Sequence, residues 1–131
     1  MHINSIDHMV LVVKSVERTI SFYARVLGMR AEEMRPGRWA LHFGTQKFNL
    51  QEVDGSVDPL AKHPTPGSGD FCLLTDVPIE DVTAHLAEQG IEIFAGPARR
   101  IGAVGPLESV YFYDPDENMV EISNQLGPAV A

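Results

Sequence analysis

A strand-like segment near the C-terminus carries a carboxylate where apolar residues are the rule. Glu121 lies between Val120 and Ile122 and follows the turn sequence Asp114-Pro115-Asp116. Because side chains alternate between the two faces of a strand, Glu121 is expected on the face opposite its apolar neighbours. An unpaired charge on a face that looks into a fold is costly, so this carboxylate needs a cation, a metal or a proton as its partner.

The candidate co-ligand stands at the other end of the chain. His8 lies in the apolar segment Ile6–Val13, which predicts a buried strand. An imidazole nitrogen together with a carboxylate oxygen suits a divalent metal. Two structural alternatives stay open, because a lone histidine on an apolar strand can be a hydrogen-bonded core residue, and Glu121 can form a salt bridge with Arg99 or Arg100.

An internal duplication places these residues in related units. His8 and Asp70 are 62 positions apart, and so are Gly28 and Gly90, which both follow helical patterns. Equal spacing of a strand residue and a helix stop predicts two copies of one unit, each with a strand, a helix and then several strands. Within one domain, 1–131, the expected boundaries are module one 4–53, linker 54–68 and module two 69–125.

Helix signals define the second element of each unit. Ser15 can cap a helix from about Val16 to Leu27, and Gly28 can end it. A second helix is expected from about Pro78 to Gln89, ended by Gly90. The predicted buried stripes are Val16, Ile20, Tyr23 and Leu27 in the first helix and Ile79, Val82 and Leu86 in the second. The predicted later strands are Trp39–Phe43, Phe48–Gln51, Asp70–Thr75, Val110–Tyr113 and Val120–Ser123.

Composition excludes several classes of partner. A net charge of −8 argues against nucleic acid, which requires a basic surface. No apolar run reaches the length of a membrane span, and no signal peptide is predicted. The single cysteine, Cys72, rules out an internal disulfide and is expected to be a small buried hydrophobe. We therefore expect a cytoplasmic protein with a small-molecule partner and with neither a nucleic-acid nor a membrane partner.

Taken together, these features resemble the vicinal oxygen chelate superfamily of glyoxalase I, bleomycin-resistance proteins, extradiol dioxygenases and fosfomycin-resistance enzymes. The resemblance rests on the duplicated βαβββ plan, on His8 and on the run Asp114–Ile122, and it covers about Ile3 to Gln125. The segments Phe43–Leu50, His63–Ser68 and Gly96–Pro106 are similar to those of glyoxalase-domain-containing protein five and bacterial lactoylglutathione-lyase-like proteins. This resemblance implies an α+β fold whose two βαβββ modules form curved mixed sheets around a cup-shaped site. It also implies a homodimer.

The resemblance also implies a divalent metal, which could be Zn, Ni, Mn, Mg or Fe. The ligand positions of the family fall on His8, Asp70 and Glu121, and a further position falls on Asn49, with Gln51 two residues on. One histidine with two carboxylates favours Mn, Mg or a weakly held Zn. Asp70 can instead be a turn residue at the strand start, and Asn49 and Gln51 can instead be cross-strand hydrogen-bonding residues.

The implied function is a glyoxalase-like, metal-dependent lyase or isomerase that acts on a small vicinal-oxygen substrate, with Glu121 as ligand and base. Because the amide of Asn49 cannot act as a general base, low lactoylglutathione lyase activity is expected. The alternatives are a metal-free drug-binding or metabolite-binding protein of the bleomycin-resistance type and a ring-cleaving dioxygenase. The segment Arg99–Pro106, with Arg99 and Arg100, is predicted to be a loop that either closes over a ligand or connects strands at the surface.

Overall fold

Two compact units make up the chain, one spanning Met1–Ser68 and one beginning at Gly69. The computed structural model describes residues 1–55 and 57–128. The first unit, module one, contains β1 (His8–Val13), α1 (Val16–Leu27), β2 (Arg30–Arg35), β3 (Arg38–Phe43) and β4 (Gln46–Glu52). The second, module two, contains β5 (Asp70–Leu74), α2 (Ile79–Glu88), β6 (Ala95–Ile101), β7 (Pro106–Tyr113) and β8 (Met119–Gln125). The predicted α+β plan of two βαβββ modules is confirmed.

The two sheets have the same strand order. Module one has β1-β4-β3-β2 and module two has β5-β8-β7-β6. In each sheet the first strand of the module runs parallel to its last strand, and the remaining pairs are antiparallel. A parallel pair needs a crossover connection, which begins with α1 in module one and with α2 in module two. Among the residues that the structure describes, neither helix has the length and apolar content that crossing a bilayer requires.

Helix α1 begins and ends as its sequence predicts, but its buried face is rotated. The Ser15 hydroxyl oxygen accepts a hydrogen bond from the Arg18 amide at 3.1 Å, and Gly28 has a φ of 66°. The fully buried residues are Thr19, Phe22, Tyr23 and Val26, whereas Val16, Ile20 and Leu27 are only partly buried. The rotation places Thr19 inside, where its hydroxyl donates to the Ser15 carbonyl at 2.9 Å and so loses no hydrogen bond on burial.

Helix α2 is one residue shorter at each end than predicted. Its buried residues, Ile79, Val82 and Leu86, are the predicted ones. Pro78 is the N-cap residue, with a ψ of 142° outside the helical region, and not the first helical residue. Gly90 follows the helix with a φ of 73°, which glycine adopts without strain.

The segment Arg99–Pro106 is not the loop that its glycines suggest. Arg99 and Arg100 belong to strand β6, which pairs with β7. The connection that remains is short, and the Gly102 amide donates to the Gly105 carbonyl across it at 2.8 Å. The strand was missed because Gly96 and Pro97 lie within it, and proline is tolerated there because β6 is the edge strand of its sheet.

Candidate functional site

Glu121 lies at the centre of the sheet of module two. Its register partners are Cys72 on β5 and Tyr111 on β7, and all three side chains share one face. Val120 and Ile122 point to the other face and are buried in the core. Glu121 itself is half-buried. The strand therefore presents one carboxylate between a thiol and a phenol.

A cavity of about 380 Å³ opens on this face. Its polar lining includes Glu121, Tyr111, Arg100 and Cys72, and its apolar lining includes Leu74, Ile101, Val104 and Leu107. A cavity of this size, mostly apolar with a few convergent polar groups, is typical of small-molecule sites. Module two alone thus carries a concave site with a single carboxylate.

Hydrogen bonds link the polar groups of the cavity. Arg100 Nε donates to the Tyr111 hydroxyl oxygen at 2.9 Å, and its guanidinium carbon lies 5.4 Å from the centre of the Tyr111 ring. The Ser123 hydroxyl contacts Cys72 Sγ at 3.1 Å and lies 3.4 Å from Glu121 Oε2. No ion pair within the described ranges includes Glu121, so a salt bridge to Arg99 or Arg100 is not formed there. Arg99 on β6 is the register partner of Glu108 on β7, and it does not line the cavity.

Tyr111 and Cys72 are held in their protonated forms. Burial raises the pKa of the Tyr111 phenol, the hydrogen bond from Arg100 opposes this, and the nearby Glu121 carboxylate raises the pKa further. Partial burial in the cavity wall also raises the pKa of the Cys72 thiol, the hydrogen bond with Ser123 opposes this, and Glu121 again adds to it. Tyr111 is therefore a hydrogen-bond donor at neutral pH, and Cys72 is not a thiolate nucleophile.

Sequence reasoning missed the roles of Tyr111 and Cys72. The prediction that Cys72 is a buried hydrophobe is wrong, because its side chain is exposed in the cavity. Its alternation with Phe71 and Leu73 could have indicated that it shares the face of Glu121 only once the strand pairing was known. Tyr111 lies in the aromatic run Tyr111–Tyr113, whose sequence did not indicate which of these side chains lie on the face of Glu121.

Asn49 occupies in module one the position that Glu121 occupies in module two. It pairs with Val10 on β1 and Ala40 on β3, as Glu121 pairs with the corresponding strands β5 and β7. Its carbonyl oxygen is buried and has no hydrogen-bond partner within the described part of the chain. A buried acceptor without a partner is costly, so this oxygen is suited to receiving a ligand.

The amide of Gln51 is already engaged. Arg38 donates to its carbonyl oxygen at 3.0 Å, and its own NH₂ group donates to the Glu52 carbonyl at 2.9 Å. Of the two amides, Asn49 is therefore the one whose carbonyl oxygen has no hydrogen-bond partner in the described residues.

His8 and Asp70 begin the first strand of their respective modules. His8 Nδ1 lies 2.9 Å from a carboxylate oxygen of Asp7, which leaves Nε2 for another partner. A carboxylate in this position orients many metal-bound imidazoles. The donor types and the orientation of His8 fit a divalent metal. Within residues 1–55 and 57–128, however, no three His, Cys, Asp or Glu side chains gather into a group that could hold one.

Comparisons with known proteins agree with this architecture. Residues 5–122 match the family model described as the Glyoxalase/Bleomycin resistance protein/Dioxygenase superfamily. A virulence protein of Salmonella typhimurium is 46% identical over 123 residues, which cover 94% of this chain and 85% of that protein. A glyoxalase domain-containing protein of Mycosarcoma maydis is 43% identical over 124 residues, which cover 95% of this chain and 70% of that protein. The solved structure of an integron cassette protein from the mobile metagenome of V. cholerae matches with a TM-score of 0.93 at 43% identity, over 95% of this chain and 97% of that one.

Proposed function

Because this chain belongs to the glyoxalase/bleomycin resistance protein/dioxygenase superfamily, we propose that it is a metal-dependent lyase or isomerase of the glyoxalase type, acting on a small substrate with two neighbouring oxygens. Membership of the superfamily does not by itself identify the reaction, since proteins with this fold have several different activities. The observation that carries the proposal is the setting of Glu121, a half-buried carboxylate in a cavity of about 380 Å³. Such a carboxylate can take a proton from a carbon beside a carbonyl and return it to the adjacent carbon.

Tyr111 and Arg100 are suited to stabilise the charge that this proton transfer creates. Removal of the proton places negative charge on the substrate oxygen. A phenol is protonated at neutral pH, and burial raises the pKa of Tyr111 further, while its oxygen accepts the hydrogen bond from Arg100. The phenol hydrogen has the Glu121 carboxylate as its neighbouring acceptor, and it becomes available to a substrate oxygen when that carboxylate engages the substrate. A preorganised donor of this kind stabilises a developing oxyanion.

We propose His8, Asp70 and Glu121 as the ligands of a divalent metal, with the Asn49 carbonyl oxygen as a further ligand, although no three His, Cys, Asp or Glu side chains gather within residues 1–55 and 57–128. A bound ion of this kind polarises substrate oxygens as a Lewis acid. The hydrogen bond that His8 donates to the Asp7 carboxylate, which orients the imidazole, and the unpartnered oxygen of Asn49 support this set. Gln51 is the weaker candidate, because Arg38 occupies its carbonyl oxygen.

Metal binding is expected to stabilise the folded chain. Titration with Mn, Zn, Ni and Mg should raise the melting temperature for at least one ion, since a ligand at 100 times its dissociation constant adds about 2.7 kcal/mol. His8→Ala and Glu121→Gln should abolish the rise, and His63→Ala is the matched control, because His63 is an exposed histidine in the linker. Elemental analysis of protein purified without added metal gives the identity of the ion. If no ion stabilises the parent, the metal proposal is wrong.

A metal-free binding protein for a drug or metabolite is the second candidate. Two observations favour it: the three-ligand group is absent from the described residues, and much of the cavity lining is apolar. The two candidates differ in whether a bound compound is converted. Mass spectrometry of a compound before and after incubation with the protein separates them.

We also expect a homodimer. Each sheet has two outer strands, and each of these has an edge without a strand partner in the described residues. Such edges pair readily with another chain. At the end of edge strand β6, Ile101 is 95% exposed. Light scattering at micromolar concentration should therefore report twice the chain mass of 14.4 kDa. A monomer at every concentration tested would exclude sites shared between chains.

A further inference from the structure

A row of basic residues crosses the sheet of module one. His8, Lys47, His42 and Arg30 occupy neighbouring register positions on β1, β4, β3 and β2. Register partners point to the same face of a sheet, so the four side chains lie on one face. This face is opposite the buried residues Phe48 and Leu50, and it is the face that carries Asn49.

Only part of this row is neutralised. Glu32 lies 3.2 Å from both Arg30 and His42. Lys47 is half-buried, and the partner of its ammonium group is the Met34 sulfur at 3.1 Å, which is a weak acceptor. In the described residues no carboxylate pairs with Lys47.

Arg38 lies on the same face and is a second cation for which residues 1–55 and 57–128 provide no acidic partner. It is half-buried, and its hydrogen-bond acceptor is the neutral amide of Gln51. Arg38 lies two residues before Ala40, and Lys47 lies two residues before Asn49, the register partner of Ala40. The two cations therefore flank the Ala40–Asn49 pair from opposite sides.

The charge distribution of the chain makes this arrangement unusual. The whole chain has a net charge of −8, yet residues 30–51 hold four Lys and Arg residues against two Glu residues. Partly buried charges without counter-charges are costly, and the described residues of this carboxylate-rich chain supply none to Lys47 or Arg38. An external anion would supply the counter-charge that these two residues lack. The overall negative charge repels a polyanion such as a nucleic acid and so favours a small one.

We propose that this face of module one binds the oxyanion group, carboxylate or phosphate, of a small molecule through Lys47 and Arg38. Lys47 supplies a point charge, and the Arg38 guanidinium supplies parallel N–H donors that match two oxygens of one group. The site goes beyond the proposed function, because it uses no residue of module two and needs no turnover.

Calorimetric titration of the full chain with inorganic phosphate and with malonate tests the site. Ionic strength is kept constant with chloride, so that general screening does not change. The parent is expected to bind at least one probe, and the probe that binds identifies the oxyanion. Lys47→Gln and Arg38→Gln should each weaken that binding about tenfold or more, as loss of a charge-assisted hydrogen bond does. Lys47→Arg should retain most of it.

Two controls separate this result from its alternatives. Arg99→Gln removes the same charge from an exposed site in module two and should bind like the parent. The titrations use protein freed of divalent metal, so that failure of the proposed metal-binding and catalytic role of Glu121 leaves the anion site standing. Lys47→Gln should melt no lower than the parent in chloride buffer, because it removes a cation that lacks a counter-charge. No binding by the parent, or equal weakening in Arg99→Gln, would overturn the proposal.

Discussion

Replacing Asn49 by glutamate is expected to raise the activity on the hemithioacetal of methylglyoxal and glutathione by about two orders of magnitude. Glyoxalase-type chemistry moves a proton off one carbon and onto the next, and Asn49 stands at the register position that Glu121 occupies in the other module. An amide cannot carry that proton near neutral pH, so the parent should be weakly active. Ala40, the register partner of Asn49 on β3, has a small side chain.

The measurement is the rate of thioester formation at saturating metal. Asn49→Gln is the matched control, because it has the size of glutamate without the carboxylate, and it should leave the rate unchanged. Adding Glu121→Gln to the Asn49→Glu variant should remove the gain, since Glu121 is the proposed base. High activity in the parent would show that the second carboxylate is dispensable or is supplied by Asp70.

The sequence was most informative about local structure. Cap and stop residues such as Ser15 and Gly28 act within one helical turn, so the pattern alone placed the ends of α1 correctly. The buried face of α1 was misjudged because it depends on the sheet that the helix meets, and Thr19 is acceptable inside only through its bond to Ser15. Strand β6 was missed because its Gly96 and Pro97 read as loop residues until pairing with β7 is known.

The candidate site was predicted less completely, because its members meet only through strand pairing. The spacing of apolar residues placed Glu121 on the face away from the core. Nothing local indicated that Tyr111 and Cys72 flank it, or that Arg100 reaches the Tyr111 hydroxyl oxygen. In the same way, the basic row through Lys47 appears only when four strands are aligned.

The turn between β7 and β8 explains why the Asp-Pro-Asp-Glu-Asn sequence is informative. Asp114 is buried, and its two carboxylate oxygens accept hydrogen bonds from the amides of Asp116 and Asn118 and from the Asn118 side chain, all at 2.8–2.9 Å. Asn118 Oδ1 then accepts the Gly69 amide at 2.7 Å. A Cβ on residue 69 would lie 2.7 Å from that oxygen, so glycine is required there. The turn thereby joins the start of β5 to β8 and aligns Cys72, Glu121 and Tyr111.

Asp114→Asn is therefore expected to destabilise the fold by about 2–3 kcal/mol. The variant replaces one carboxylate oxygen by an NH₂ group, which would then face an N–H donor of Asp116 or Asn118 and leave it without an acceptor. For a domain of this size the melting temperature should fall by roughly 10 °C in a calorimetric scan. Glu117→Gln is the matched control, because it removes one charge from an exposed position in the same turn and should change the melting temperature little. Equal melting temperatures for both variants would show that the turn does not hold β5 and β8 together. A fall confined to Asp114→Asn would show that the hydrogen bonds of Asp114 stabilise the turn. The Glu121 site depends on the pairing of β5 and β8 that this turn supports.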